Sequence, residues 1–148
     1  GALFGARILK TVRLPRPSQL RVRILGGLEP TQIELRRAHM DTVMATLADD
    51  IVWHTPGDNI LSGDKVGKEE VLNFFGLLAQ ESGGTFNNEI HDLLANDDHG
   101  VALVNQSMTR NGKTIEGPSV HVFHMKNGQM TEFWPFSNDQ EEFDEVWS

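Results

Sequence analysis

Two stretches of the chain carry apolar residues at helical spacing. The first runs from about residue 31 to 48 and opens with Thr31 and Glu34 at the spacing of a capping box. The second runs from Lys68 to Gln80, and its apolar residues form one stripe: Val71, Phe74, Phe75 and Leu78. Between them, residues 51–54 predict a short strand, and the residues that follow predict a loop containing Asp58, Gly63 and Gly67.

The apolar period changes from helical to alternating after Gly83-Gly84. Strands are predicted over residues 85–94, 101–109, 113–126 and 129–136. Asn111-Gly112 and Asn127-Gly128 are typical of two-residue hairpin turns. A bulge or bend is expected at residues 116–118, because Pro118 cannot donate to a central ladder. A final helix is predicted from Ser137 or Asn138 onward.

The order of these elements indicates an α+β fold, in which about three helices pack against one face of a bent antiparallel sheet. A sheet folded around helices forms a cone-shaped barrel, and its open end is a natural place for a pocket. Residues 30–148 are expected to form this domain, and residues 1–29 a basic N-terminal extension.

Counting back from the hairpins predicts which side chains share a face. A regular turn at Asn127-Gly128 places His121 opposite Trp134, and puts Val122, His124 and Phe133 on the other face. The same count across Asn111-Gly112 places Ala102 opposite His121 and Val104 opposite Ser119, provided that no bulge intervenes. Small residues beside His121 leave room for a ligand above it. A slip of one residue would reverse every facing.

Composition and charge narrow the function classes. The 148 residues are 39% apolar and 23% charged, which predicts a packed core, and no apolar run approaches the ~20 residues that cross a bilayer. Eight Lys or Arg against two Glu give residues 1–37 a charge of +6, so the total of −8 leaves −14 for the rest. An acidic body disfavours nucleic acid and anionic membranes as partners. The absence of cysteine excludes disulfides and thiolate sites, and a cytoplasmic location is the default expectation.

The sequence contains no motif that is typical of a metal site or a cofactor site. His121 and His124 are three apart on a strand and therefore face opposite ways, and no HExxH spacing occurs. There is no phosphate-binding glycine motif and no GxSxG elbow. We expect neither a metal nor a cofactor.

Three stretches together resemble the SnoaL-like polyketide cyclases and the wider nuclear transport factor 2-like superfamily, which includes ketosteroid isomerase. They are residues 48–57 (ADDIVWHTPG), residues 63–75, and the closing hairpin with VHVFHM, Asn127-Gly128 and Glu132-Phe133-Trp134. The resemblance covers about residues 31–148 and implies the cone-shaped barrel. It does not imply one reaction, because this fold hosts catalysts and non-catalytic proteins alike.

The resemblance also places individual residues. His121 lies where such cyclases have a catalytic Asp, and Thr55 occupies the place of the isomerase's general-base Asp. Thr cannot act as that base, and the chain has no Tyr to supply the isomerase's oxyanion hole, so steroid isomerisation is not expected.

The candidate catalytic residues are His121, with His54 or Asp58 assisting. Histidine both accepts and donates protons near neutral pH, whereas a core histidine bonded to the backbone is the alternative interpretation. Strand alternation leaves one choice open: either His54 faces inward and Trp53 is core, or Trp53 and Thr55 line the pocket. The expected substrate-lining residues are Trp53, Thr55, Gln106, Met108, Phe123 and Trp134.

Two functions remain compatible with the sequence. One is a cofactor-free enzyme that performs acid/base chemistry, of isomerase, cyclase or hydrolase type, on a small apolar polyketide- or terpenoid-like ligand. The other is a non-catalytic ligand-binding or dimeric assembly module. Both lead us to expect a homodimer that pairs through the sheet face carrying Val122, Phe133 and Leu103.

Overall fold

The computed structural model describes residues 44–148, in which six strands and two complete helices follow a helical turn at residues 44–46. The strands are β1 (Leu47–Thr55), β2 (Gly63–Val66), β3 (Asn87–Ala95), β4 (His99–Arg110), β5 (Lys113–Lys126) and β6 (Gln129–Ser137). The helices are α1 (Lys68–Glu81) and α2 (Gln140–Trp147). The predicted α+β class is confirmed. The predicted extension over residues 1–29, the capping box at Thr31 and most of the first predicted helix lie outside the described residues.

One mixed sheet holds all six strands in the order β2-β1-β6-β5-β4-β3. β1 and β6 pair in parallel, and every other neighbouring pair is antiparallel. The four consecutive strands β3 to β6 therefore form the predicted meander, and the β1–β2 hairpin extends it at the β6 side.

The two Asn-Gly turns have the geometry that their residues favour. Asn111 and Asn127 both adopt φ 51°, and the glycines that follow adopt φ 77°. A type I′ turn needs positive φ at both central positions, which Asn and Gly tolerate best. Both hairpins are therefore closed by sequence-encoded local geometry.

A bulge at Thr131 changes the register that an unbroken count predicts. Met125 pairs with Met130, but His124 pairs with Glu132, so β6 contains one extra residue at Thr131. His121 consequently lies opposite Pro135 rather than Trp134, and the prediction that His121 and Trp134 share a face is wrong.

The same bulge moves Phe133 to the inner face. The predicted placement of Phe133 beside Val122 is wrong, since Phe133 pairs with Phe123 and is buried in the core. The count across the other hairpin is confirmed: Ala102 lies opposite His121 and Val104 opposite Ser119.

Three other local expectations need correction. Residues 47 and 48 belong to β1 and not to a helix, and residues 63–66 form β2 where a loop was expected. The β4–β5 register runs without a shift from Arg110 to His99, so residues 116–118 contain no bulge.

The sheet has an inner face, covered by the two described helices, and an outer face. On the inner face Phe74 of α1 and Trp147 of α2 pack in one cluster with Met108 and Ile115, while Val71 packs with Ile51 in another. A third cluster consists of Ala102, Val104, Phe123 and Phe133. Trp53 contacts all three clusters, so it is the centre of the core.

The C-terminal helix is fixed at both ends. The Asp139 side chain accepts a hydrogen bond from the Glu142 backbone N–H at 2.9 Å, as an N-cap. At the other end the Arg110 guanidinium donates to the Val146 carbonyl at 2.7 Å and lies over the Trp147 ring. Within residues 44–148, no helix is long and apolar enough to cross a membrane.

Candidate functional site

Strand alternation distributes the predicted site residues over the two faces of the sheet. Six of them point to the inner face: Trp53, Thr55, Gln106, Met108, His121 and Phe123. His54 and Trp134 point to the outer face, where their rings stack at 4.8 Å. Asp58 lies in the exposed loop after β1. The open choice at β1 is thereby resolved, because Trp53 and Thr55 face inward and His54 does not.

Five buried side-chain polar atoms have no hydrogen-bond partner within residues 44–148. Four of them belong to strands and point to the inner face: Trp53 Nε1, Thr55 Oγ1, Ser119 Oγ and His121 Nε2. The fifth, Trp147 Nε1, belongs to α2 and lies in the core cluster with Met108 and Phe74. Thr55 and His121 are each 8% exposed, and Ser119 is 3% exposed. Buried polar atoms are almost always paired in folded proteins, and an unpaired one costs stability. A cluster of them on one face therefore marks a candidate binding site.

The register places these four groups as two pairs, one on β1 and one on β5, with β6 between them. Trp53 pairs with Phe133, so Thr55, two residues further along, lies in the row of Pro135, and Pro135 pairs with His121. Thr55 and His121 are thus two strand spacings apart, about 10 Å between Cα atoms. Ser119 precedes His121 by two residues on the same strand and the same face.

His121 is a neutral imidazole at physiological pH. Burial lowers its pKa from 6.5 to about 4, because the charged form loses its hydration. The Phe133 ring meets the imidazole edge-on at 5.0 Å between centroids, and Ala102 is its neighbour on β4. His121 can therefore act as a hydrogen-bond donor or as an unprotonated base, but not as a cation.

Aromatic rings form the wall beside the polar atoms. Trp53 and Phe133 are stacked with centroids 3.6 Å apart, and the edge of Phe75 meets Trp53 at 5.1 Å. Phe123 covers Gly100, where the ring occupies the space that a side chain would need. These rings make the surroundings of the polar atoms apolar, which favours an apolar partner.

Gln106 lies on β4 two residues beyond Val104, the partner of Ser119, and Met108 follows two residues further along the same face. Gln106 is buried and donates from Nε2 to the Asn88 Oδ1 at 3.2 Å. Met108 is fully buried beside Trp147 and Phe74. The structure thus gives Gln106 an internal partner and makes Met108 part of the packed core.

The outer face holds a different histidine arrangement. His54 Nδ1 lies 2.8 Å from Asp64 Oδ1, and His54 Nε2 lies 3.4 Å from Glu132 Oε1. The other oxygen of Glu132 is 2.9 Å from His124 Nδ1. Trp134 lies between the two imidazoles, stacked on His54 and edge-on to His124. Glu132 therefore joins two histidines that the sequence alone does not connect.

Asp58 is an exposed residue of the loop that follows β1. Its backbone N–H donates to Asp144 Oδ2 at 3.0 Å, while its own carboxylate is exposed. Asp144 also accepts from Asn59 and Gln140. Desolvation opposes the effect, but these hydrogen bonds lower the pKa of Asp144 below its usual value. The carboxylate that organises this loop is therefore Asp144 and not Asp58.

Lys65 is a cation next to the site, and its donors are already in use. It pairs with Trp53 across the β1–β2 hairpin, and its ammonium donates to the backbone carbonyls of Leu61, Ser62 and Gly63. The ammonium also lies 4.9 Å above the Phe74 ring. Desolvation lowers its pKa, an effect that Asp64 and Glu70 oppose.

Ser119 is a site residue that the sequence-based predictions missed. The signal was present, because Ser119 lies two residues before His121 on a predicted strand and alternation puts both on one face. No cluster of three or more metal-ligating side chains occurs in the part of the chain from Met44 onward.

Comparison with known proteins supports the fold and the family. The model of the SnoaL-like domain matches residues 33–133. No protein of curated function matches the sequence. Bal32a, from a soil-derived mobile gene cassette, superimposes with a TM-score of 0.70 at 26% identity, covering 78% of this chain and 89% of that one.

Two further solved structures are similar. A protein of unknown function with a cystatin-like fold from Xanthomonas campestris gives a TM-score of 0.70 at 27% identity, over 76% of this chain and 88% of that chain. An NTF2-like protein of unknown function from Burkholderia pseudomallei gives 0.65 at 24% identity, over 78% and 90%. The sheet is thus the cone-shaped α+β barrel of NTF2-like proteins, and the chain belongs to the SnoaL-like domain family.

Proposed function

We propose that the protein binds a small apolar, polyketide- or terpenoid-like compound on its inner face and performs cofactor-free acid/base chemistry on it. The observation that supports this proposal is His121, a buried neutral imidazole whose Nε2 has no partner within residues 44–148. A structural core histidine is normally satisfied by the protein. The family to which the chain belongs includes cyclases and isomerases that use no cofactor.

The chemistry follows from the neutral imidazole. As a base, His121 removes a proton from carbon next to a carbonyl group, and the electron pair moves to the carbonyl oxygen. As a donor, its N–H stabilises the negative charge that develops on such an oxygen. A pKa of about 4 keeps the imidazole unprotonated throughout the neutral range, so either activity is independent of pH from about 5 upward.

Deuterium exchange tests this proposal without knowledge of the natural substrate. We expect the wild type to accelerate the exchange of the α-protons of 2-tetralone in D2O, followed by NMR, and His121→Phe to reduce the rate to that of buffer. His124→Phe is the matched control, since it makes the same change three residues along the same strand but on the outer face. Equal rates for wild type and His121→Phe, with tetralone bound, would favour the non-catalytic binding module.

We also propose a homodimer through the outer face. Val101, Leu103, Val120 and Val122 lie side by side there, Phe136 is 50% exposed, and both complete helices of residues 44–148 pack on the other face. Exposed apolar patches of this kind often mark interfaces. Sedimentation velocity at micromolar concentration should show a dimer that Phe136→Asp dissociates, and a wild-type monomer contradicts the proposal.

A further inference from the structure

The four strand side-chain atoms that lack a partner within residues 44–148 share one chemical property, which is that each of them can donate a hydrogen bond. The indole N–H of Trp53 only donates, the hydroxyl groups of Thr55 and Ser119 donate or accept, and the imidazole of His121 donates from Nε2 in one tautomer. None of the four carries a charge at neutral pH. The complementary ligand therefore presents oxygen acceptors and no ionised group.

The four donors fall into two groups. His121 and Ser119 are neighbours on β5, and Thr55 and Trp53 are neighbours on β1, with β6 between them. The row through Thr55, Pro135 and His121 spans about 10 Å between its outer Cα atoms. Side chains reaching inward from both ends leave a separation suited to oxygens at opposite ends of a fused two-ring system.

Charge at the site disfavours anions. Within residues 44–148, Lys65 pairs with Trp53 across the β1–β2 hairpin, and its ammonium already donates to three backbone carbonyls. An ionised carboxylate moved to this buried face would lose its hydration and would have to compete with those three carbonyls for the Lys65 ammonium. The total charge of −8 opposes an anionic ligand further.

We propose that the inner face recognises a neutral, flat ring compound through two oxygen atoms, one held by His121 and Ser119 and the other by Thr55 and Trp53. This inference requires a ligand on the inner face, as the proposed function does, but it requires no catalysis. Thr55 and Ser119 are then specificity-determining residues whose unpaired hydroxyl groups lower the stability of the ligand-free protein.

A series of naphthalenes tests the two-point recognition in the full-length protein by isothermal titration calorimetry. We expect affinity to fall from 2,6-dihydroxynaphthalene to 2-naphthol to naphthalene, and we expect no binding of 2,6-naphthalenedicarboxylate at millimolar concentration. Thr55→Val and Ser119→Ala should each weaken the diol about five-fold, the ratio that an ordinary hydrogen bond contributes, and leave naphthalene unchanged. Thr114→Val, an exposed hydroxyl at the β4–β5 hairpin, is the matched control.

Thermal unfolding of the same variants separates a ligand site from an internal bond. Thr55→Val and Ser119→Ala should raise the melting temperature of the ligand-free protein by a few degrees, because each removes a buried polar atom without a partner. A lower melting temperature would mean that the hydroxyl has an internal partner, and it would overturn the proposal for that residue.

Three outcomes of the titrations overturn the whole inference. They are absence of diol binding to the wild type, binding of the dicarboxylate as tight as that of the diol, and equal weakening of diol and naphthalene by both substitutions. Failure of the proposed catalysis is recognised separately, because 2-tetralone exchange can be absent while the naphthalene series binds in the expected order.

Discussion

His121 and His124 lie three residues apart on β5, and the sheet gives them opposite surroundings. His121 faces inward beside Phe133 and Ala102, and its Nε2 has no partner in the part of the chain from Met44 onward. It stays neutral because burial lowers its pKa to about 4. His124 faces outward and bonds Glu132, which also contacts His54. His121 is thus surrounded by apolar side chains, whereas His124 contacts a carboxylate. Side chains alternate between the two faces along a strand, so two histidines that are an odd number of positions apart lie on opposite faces. The face on which a histidine lies therefore decides its surroundings and its chemistry.

The two tryptophans extend the same comparison, and they give the largest expected effect. Trp53 contacts all three core clusters and stacks on Phe133, whereas Trp134 lies half-buried on the outer face between His54 and His124. We expect Trp53→Ala to lower the free energy of unfolding by about 3–5 kcal/mol. Trp134→Ala should lower the free energy of unfolding by about 1 kcal/mol, because it removes only the ring contacts of a half-exposed side chain.

Urea denaturation at pH 7 measures both variants. Trp53→Phe keeps a ring on Phe133 and should recover more than half of the loss, which separates ring packing from general disruption of the strand. If the two alanine variants lost the same free energy of unfolding, the outer face would be packed as tightly as the inner one. The proposed difference between the two faces would then be wrong.

The pH dependence of stability gives the next largest effect. As the pH falls below about 6.5, the His121 imidazole of the unfolded chain binds a proton, whereas the folded protein takes one up only near pH 4. The free energy of unfolding therefore decreases as the pH falls through this range. The full loss from this group corresponds to about 3 kcal/mol.

His121→Phe isolates that contribution. The variant should lose less stability between pH 7 and pH 4 than the wild type, measured by urea denaturation at several pH values. His124→Phe is the matched control, since it makes the same change on the outer face of the same strand. A wild-type slope in His121→Phe would show that the imidazole is hydrated or paired in the folded protein.

The carboxylate shared by the outer histidines predicts a smaller effect. Glu132 lies between His54 and His124 and contacts a ring nitrogen of each. Solvent screens this half-exposed carboxylate, so Glu132→Gln should lower the free energy of unfolding by about 1 kcal/mol or less in urea denaturation at pH 7. A loss as large as that of Trp53→Ala would mean that Glu132 is needed for the packing of the outer face.

Local signals in the sequence determined most of this picture. The Asn-Gly turns located the two long hairpins, and the alternation in β4 and β5 placed Ala102 opposite His121. β2 was missed because residues 63–66 contain one apolar residue among glycine and charged ones, and their strand depends on pairing with β1. Tertiary pairing of this kind leaves no periodic signal in a four-residue segment.

The facing of β6 could not be predicted for a related reason. Nothing in the sequence distinguishes Thr131 from a regular strand residue, yet the bulge there decides which of Phe133 and Trp134 faces inward. The parallel pairing of Trp53 with Phe133 favours the bulged register, because it buries the two rings against each other. A long-range contact thus overrides a count made from the nearest turn.

Asp58 gives the smallest expected effect and tests whether a carboxylate assists the inner histidine. The carboxylate of Asp58 is exposed to solvent. The loop is held instead by Asp144, whose carboxylate accepts hydrogen bonds from the Asp58 backbone N–H, Asn59 and Gln140. Asp58→Asn should change the free energy of unfolding by less than about 0.5 kcal/mol and leave tetralone exchange within two-fold of the wild type. Asp144→Asn is the comparison, and it should cost more, since it weakens three charge-assisted bonds. If Asp58→Asn instead abolished exchange without loss of stability, the loop would have to move its carboxylate to the inner face during reaction, and His121 would then work with an acid partner that the ligand-free arrangement keeps apart from it.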